Sequence, residues 1–170
     1  MSGTAGGAGR TVVIGIGNEF RRDDGVGPAV IGHLRGQVPA EVELAISDGD
    51  PVRLIEMWSG ATLAVVVDAV RADPAKPGRI HRFVVDKPGS AGAAAASPGG
   101  PGAGQSASTH GLGLDEAIGL AVALGRMPER LIVHAIEAAD TTQGTGMTPA
   151  VAASIGAAAA AVQSDLLAPP

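Results

Sequence analysis

Short, continuous runs of aliphatic and β-branched residues recur along the chain, and segments with helical spacing lie between most of them. Runs of this kind are typical of strands that are buried on both faces of a sheet. The predicted strands are 11–16, 42–46, 63–67, 79–85 and 131–135. The segment 79–85 alternates more than the others between apolar and polar residues, which indicates a strand nearer the edge of the sheet.

Helices are predicted at 25–34, 51–58, 112–124 and 148–167. Pro51 and Pro149 suit the first position of a helix, where the missing N–H would have no partner, and Thr148 is a good N-cap residue. Strands and helices in alternation predict a largely parallel sheet. We therefore expect a three-layer α/β/α fold, with a mostly parallel, twisted sheet of about five strands and helices on both faces.

Two segments lack this patterning. Residues 1–9 are small and polar and are interpreted as a flexible leader. Residues 88–109 consist almost entirely of Gly, Ala, Ser and Pro, and this composition predicts a mobile loop. A total length of 170 residues suits one domain, which we place at 10–168.

Composition excludes several classes of function. The chain has no cysteine, so disulfides, thiolate metal sites and cysteine nucleophiles are excluded. Twelve basic residues face 17 acidic ones, and the longest basic run is Arg21-Arg22, which argues against a nucleic-acid partner. With no long uninterrupted apolar stretch and no basic start before an apolar run, we expect a cytoplasmic protein without a membrane span or signal peptide. We expect a monomer, because no long exposed apolar helix face stands out.

In a parallel sheet of this kind, ligands bind in the crevice outside the carboxyl ends of the strands. Asp24 lies in the loop after the first predicted strand, Asp68 ends the third, and His110 stands between the 88–109 tract and the next helix. Two carboxylates and one imidazole can hold a divalent metal with open coordination positions. The three residues are therefore the candidate site.

Each candidate also has a structural interpretation. Asp24 suits a helix cap, whereas a carboxylate at Asp68, at the end of an apolar strand, is costly unless it is paired or exposed. His110 is either a surface residue or one that reaches a substrate. Of the other histidines, His81 is predicted to face solvent, and His134 is predicted to be a core histidine with its hydrogen bonds satisfied.

The glycines after the first strand invite a dinucleotide-binding interpretation. The third glycine of G-x-G-x-x-G would fall at position 20, where the chain has Phe20. The chain also lacks the G-K-S/T of a phosphate-binding loop and the G-x-S-x-G of a serine hydrolase. A nucleotide-dependent enzyme is therefore disfavoured.

Taken together, the motifs resemble those of the [NiFe]-hydrogenase maturation endopeptidases over about residues 10–165. The matching blocks, in chain order, are GIGN at 15–18, DDGVG at 23–27, VVVDAV at 65–70, STHGLGL at 108–114 and GTGMTPAV at 144–151. The order and spacing of the blocks, more than any single one, make the resemblance specific.

The resemblance implies an α/β/α fold and an aspartic-type endopeptidase that removes a C-terminal peptide from the hydrogenase large-subunit precursor once nickel has been inserted. The family's metal-contacting residues map onto Asp24, Asp68 and His110. Nickel would arrive on the precursor's own thiolates, in keeping with the absence of cysteine here. The metal would act as a template, polarise the scissile carbonyl or activate water. The alternative is a non-catalytic metal-binding assembly factor for the same precursor.

Overall fold

A computed structural model describes residues 9–89 and 112–168 of the chain. Nearly all of the predicted leader and of the 88–109 tract, and also His110, lie outside the described residues. The helices and strands are β1 (Thr11–Ile16), α1 (Val26–Leu34), β2 (Val42–Ser47), α2 (Pro51–Trp58), β3 (Leu63–Val70), β4 (Ile80–Asp86), α3 (Leu112–Leu124), β5 (Arg130–Glu137) and α4 (Pro149–Leu167). A 3₁₀ turn, Arg22–Gly25, precedes α1.

The five strands form one sheet in the order β2-β1-β3-β5-β4. The strands pair in parallel except β4, which lies at the edge and pairs antiparallel with β5. The predicted fold class is confirmed, and so is the edge position of 79–85. From β1 the chain moves to β2 on one side and later returns to β3 on the other, so a topological switch point lies between the carboxyl ends of β1 and β3.

Two apolar layers hold the helices to the sheet. Helices α2 and α3 cover one face, where the large buried side chains include Leu54, Trp58, Leu114 and Leu131. Helices α1 and α4 cover the other face, with a core that includes Val30, Leu34, Ile136 and Val162. Alternate residues of β3 divide between the layers, with Ala64 and Val66 in the first and Val65 and Val67 in the second. Asp68 continues the first series and so faces the α2/α3 side.

Helix α1 lies unusually close to β1 because two glycines face each other. A Cβ on Gly15 would stand 2.4 Å from the Gly27 carbonyl oxygen, and one on Gly27 would stand 2.2 Å from the Ile16 carbonyl oxygen. Both distances are far inside van der Waals contact. The loop that leads from β1 to α1 is therefore held tightly against the carboxyl end of the sheet.

The two proline-started helices begin as predicted but are capped differently. At α2, the Asp50 carboxylate accepts a hydrogen bond from the Arg53 N–H at 2.9 Å and Pro51 is the first residue. At α4, Thr148 occupies the N-cap position but its side chain makes no capping bond. The prediction that Thr148 is the N-cap residue of α4 and Pro149 its first residue is confirmed, and the Thr148 hydroxyl donates to Asp23.

Strand β3 is longer than predicted. It continues to Val70, because its parallel ladder with β5 extends to the pair Val70–Glu137. Asp68 therefore lies inside the strand, beside Ala135, and does not follow it. The backbone hydrogen bonds of the sheet thus continue past this ionisable side chain.

Helix α4 is long and apolar enough to cross a membrane by length and composition alone. In this structure it packs on the sheet and on α1, with Val151, Ala158 and Val162 fully buried. These contacts are those of a core helix in an α/β/α domain.

We expect Gly27→Ala to lower the free energy of unfolding by about 2 kcal/mol or more, since the new methyl group would collide with backbone atoms that cannot rotate away. The matched control is Gly32→Ala in the same helix, where a Cβ meets nothing within 4 Å. That change should raise stability by about 0.5–1 kcal/mol through helix propensity. Urea unfolding measures both, and equal effects of the two substitutions would contradict the close-packing argument.

Candidate active site

The turn after β1 places Asp24 at the carboxyl end of the sheet. The Asn18 N–H donates to Asp24 Oδ2 at 2.9 Å, and the Phe20 N–H donates to Asn18 Oδ1 at 2.9 Å. Gly17 has φ +145°, and a Cβ there would lie 1.8 Å from the Asp24 carbonyl oxygen. Asp24 therefore closes its own turn and does not cap α1, whose N-cap residue is Gly25.

Asp23 anchors this turn to the loop between β5 and α4. Its carboxylate, fully buried, accepts hydrogen bonds from the N–H groups of Ala139, Asp140 and Thr148 at 2.7–2.9 Å and from the Thr148 hydroxyl. Burial raises the pKa of Asp23, but these hydrogen bonds outweigh it and hold the pKa below its ordinary value. Asp23 is thus an ionised structural residue that fixes the position of its neighbour Asp24.

Asp68 has the opposite environment. Its side chain is 3% exposed, and Oδ2 is buried with no hydrogen-bond partner among the described residues. Burial, followed by the negative charges of Asp24 and Asp115, raises the pKa of Asp68 to about 7. Near neutral pH this carboxyl group is therefore present in both protonation states, as suits a group that accepts and returns a proton.

Asp24 and Asp68 line one cleft of about 200 Å³ at the carboxyl ends of β1 and β3. Its wall includes Asp48 and Gly49 from the turn after β2, and Gly113 and Leu114 from the start of α3. A Cβ on Gly113 would stand 1.9 Å from the Gly49 carbonyl oxygen, so α3 can approach this turn only with glycine there. The cleft lies at the switch point of the sheet, where ligands bind in this architecture.

The structure therefore brings together two of the three predicted site residues. His110 lies outside the described residues; in the sequence it stands just before α3, whose first turn lines the cleft. Asp48 is a cleft residue that sequence reasoning missed. It belongs to the stretch Asp48-Gly49-Asp50-Pro51, whose residue types are those of a turn followed by a helix start.

The donor set fits a metal carried by a substrate. Among residues 9–89 and 112–168, no three His, Asp or Glu side chains are grouped closely enough to hold a metal ion by themselves. Asp24 and Asp68 supply carboxylate oxygens to one cleft, and Asp68 Oδ2 has no other partner there. Two hard oxygen donors can complete the coordination of a divalent ion that already has ligands of its own.

The histidines on β4 and β5 differ in their surroundings. His134 is fully buried, as predicted, and its Nε2 lies 2.6 Å from Asp165 Oδ2. Its Nδ1 has no partner among the described residues, so only half of its hydrogen-bonding capacity is satisfied. The prediction that His81 faces solvent is only partly right, because its side chain is 34% exposed and its Nε2 lies 2.7 Å from Glu137 Oε1.

The fold of this chain is also that of several solved structures that are named hydrogenase maturation proteases. The chain matches the hydrogenase maturating endopeptidase HybD from E. coli with a TM-score of 0.72 and 22% identity, over 92% of this chain and 91% of that one. It matches the [NiFe] hydrogenase maturation protease HybD from Thermococcus kodakarensis with a TM-score of 0.67 and 21% identity, over 91% and 97%.

A third likeness is to the hydrogenase 2 maturation peptidase from Thaumarchaeota archaeon SCGC_AB-539-E09, with a TM-score of 0.66 and 21% identity, over 93% of this chain and 98% of that one. No family model and no curated protein matches the chain. The resemblance recognised from the motifs is thus confirmed in the fold: the chain has the fold of the hydrogenase maturation proteases.

We expect Asp23→Ala to lower the free energy of unfolding by about 3 kcal/mol, because it leaves three backbone N–H groups without their acceptor. Thr148→Val is the matched control, since it removes the hydroxyl bond to Asp23 and keeps the backbone donors. Its cost should be about 1 kcal/mol. Urea denaturation compares the two, and an Asp23→Ala protein as stable as Thr148→Val would contradict the anchoring role.

The raised pKa of Asp68 predicts a pH-dependent cost in stability. Between about pH 4 and pH 7 the folded protein keeps a proton on Asp68 that the unfolded chain releases, so this residue lowers the free energy of unfolding as the pH rises. The shift from 3.8 to about 7 corresponds to about 4 kcal/mol. Asp68→Asn should therefore become progressively more stable relative to the parent protein between pH 4 and about pH 8.

Thermal and urea unfolding across that pH range measure the difference. Glu116→Gln, which removes an exposed carboxylate from α3, is the control and should keep a constant offset from the parent protein. A constant offset for Asp68→Asn as well would show that the Asp68 pKa is not raised.

Proposed function

We propose that this protein is a [NiFe]-hydrogenase maturation endopeptidase that removes a C-terminal peptide from the nickel-loaded large-subunit precursor. The observation that carries the proposal is the pair Asp24 and Asp68, which line one cleft at the switch point of a fold shared with solved maturation proteases. The predictions of a cytoplasmic location and a monomeric state accompany this proposal.

In this proposal nickel is part of the substrate and reaches the cleft on the precursor's thiolates. Asp24 and Asp68 then bind it through oxygen, and His110 is the third predicted ligand. The metal thereby positions the scissile peptide bond against the two carboxylates, as a template. A precursor without nickel lacks this attachment, which explains how one cleft can distinguish a loaded precursor from an empty one.

Hydrolysis of the peptide bond needs a group that moves protons. As the water oxygen attacks the scissile carbonyl carbon, one water proton must be removed, and a proton must reach the amide nitrogen as the C–N bond breaks. Asp68 Oδ2, which has no hydrogen-bond partner among the described residues, can accept the first proton and return it to the leaving amine, which leaves the other carboxylate oxygen of Asp68 for nickel. Asp24 is more exposed and takes a hydrogen bond from the Asn18 N–H, so it is the better fixed oxygen ligand.

The test is cleavage of purified large-subunit precursor, with and without nickel, followed by intact-protein mass spectrometry. The parent protein should shorten only the nickel-loaded precursor. Asp68→Asn and His110→Ala should each slow this shortening by about 100-fold or more, since each removes a group that acts on the reacting centre. His33→Ala, which changes an exposed histidine on α1, should cleave at the parental rate.

Two results would contradict the proposal. Cleavage that is independent of nickel would show that the metal does not position the substrate as a template. A precursor that is bound but keeps its full mass would instead identify the protein as a non-catalytic assembly factor.

A further inference from the structure

One row of residues crosses the sheet from Asp68 to its edge strand. Asp68 of β3 is level with Ala135 of β5, and Ala135 is level with His81 of β4. Residues in register on neighbouring strands point to the same face, so all three side chains lie on the α2/α3 side. With strands about 4.8 Å apart, the Cα atoms of Asp68 and His81 are separated by about 10 Å.

His81 is held in place by a buried carboxylate. Its Nε2 lies 2.7 Å from Glu137 Oε1, and the Lys76 N–H donates to Glu137 Oε2 at 2.5 Å. Glu137 is only 3% exposed; burial raises its pKa, but the bonds from His81 and Lys76 outweigh this and hold the pKa below its ordinary value. An ionised Glu137 only accepts, so Nε2 carries the proton in this bond and Nδ1 is directed elsewhere.

The imidazole lines a small cavity beside the site. The cavity has a volume of about 60 Å³, and its wall includes Arg71, His81, Phe83, Ala135 and Glu137. Because Ala135 has the smallest side chain in the row, it leaves a gap between Asp68 and His81 that a larger residue would fill. We name this cavity the His81 subsite.

The segment 71–80 beside the His81 subsite is rich in basic residues, although the chain as a whole is acidic. Residues 71–80 contain Arg71, Lys76 and Arg79 but only one acidic residue, Asp73. Arg71 lines the cavity; its guanidinium donates to the Thr141 hydroxyl and is close to Asp140, while Arg79 is close enough to lower the pKa of Glu137. Glu137, the acidic residue of the cavity wall, is already bonded to His81, so the remaining N–H donors of Arg71 are those that favour an anionic group.

We propose that the His81 subsite binds an acidic side chain of the precursor segment that lies across Asp68, with His81 Nδ1 and the Arg71 guanidinium donating hydrogen bonds to its carboxylate. The proposal rests on the proposed function and deepens it, because it names a class of residue that the substrate must carry beside the cleavage point. When the acidic side chain binds, Nδ1 carries a proton from solvent, and Glu137 and the bound carboxylate share the resulting imidazolium charge. His81 acts in recognition, since it is two strands away from Asp68 and outside the cleft.

Steady-state cleavage of nickel-loaded precursor tests the subsite. His81→Ala and Arg71→Ala should each raise KM by about tenfold, the effect of losing one charge-assisted hydrogen bond, while kcat stays within about twofold. His33→Ala is the matched control and should leave both constants unchanged. A fall in kcat at unchanged KM, or no change in either constant for His81→Ala, would overturn the proposal.

The acidic residue is identified on the substrate by changing each Asp and Glu near the cleavage point to its amide. With the parent protein, one such amide precursor should have a KM about tenfold higher than that of the unchanged precursor. With His81→Ala, the same amide change should not raise KM further, because the two changes remove the same contact. If every amide precursor instead shows the same relative loss with both proteins, the carboxylate assignment is wrong.

Direct binding separates this proposal from the proposed function. In an Asp68→Asn background, which blocks turnover, isothermal titration of the precursor compares proteins with and without His81→Ala. Binding that is about tenfold weaker in the double variant supports the subsite even if no protein cleaves the precursor. Equal affinities overturn the subsite, while cleavage by the parent protein would still uphold the endopeptidase.

Discussion

The carboxylate of Asp23 joins two loops that are more than a hundred residues apart in the chain. A buried ionised carboxylate is costly unless every lone pair has a donor, and here three backbone N–H groups and one hydroxyl from the β5–α4 loop supply them. The turn after β1 can therefore keep its position only while that loop keeps its own. This anchoring also fixes the position of the next residue, Asp24, beside Asp68.

Asp23 and Asp68 show how environment, and not residue type, decides what a carboxyl group does. Both are almost completely buried. Hydrogen bonds to Asp23 outweigh the desolvation of its charge and hold its pKa low, whereas Asp68 Oδ2 has no partner among the described residues and the pKa of Asp68 rises to about 7. One aspartate is thus a permanent structural anion and the other a group that can exchange protons near neutral pH.

Successive side chains of a strand point to opposite faces of the sheet, and this places His81 and His134 on different faces. His81 lies on the same face as Asp68, and Glu137 orients it there. His134 points to the opposite face, where Asp165 of α4 binds it beneath the helix. An apolar strand context was enough to predict that His134 is buried. The position of His81 could not be predicted from its own segment, since it depends on pairing with β5, which lies about fifty residues further along the chain.

Local sequence patterns determined the order of strands and helices, the bounds of α2, the edge position of β4, and Asp24 and Asp68 as candidates, because burial, turn chemistry and capping are encoded within a few residues. Tertiary structure alone decided the extension of β3 past Asp68, the bond of the Thr148 hydroxyl to Asp23, and the inclusion of Asp48 in the cleft. The same holds for the pKa of Asp68, which is set by burial and by charges from other segments. These features depend on partners distant in the chain, and no local pattern carries information about such partners.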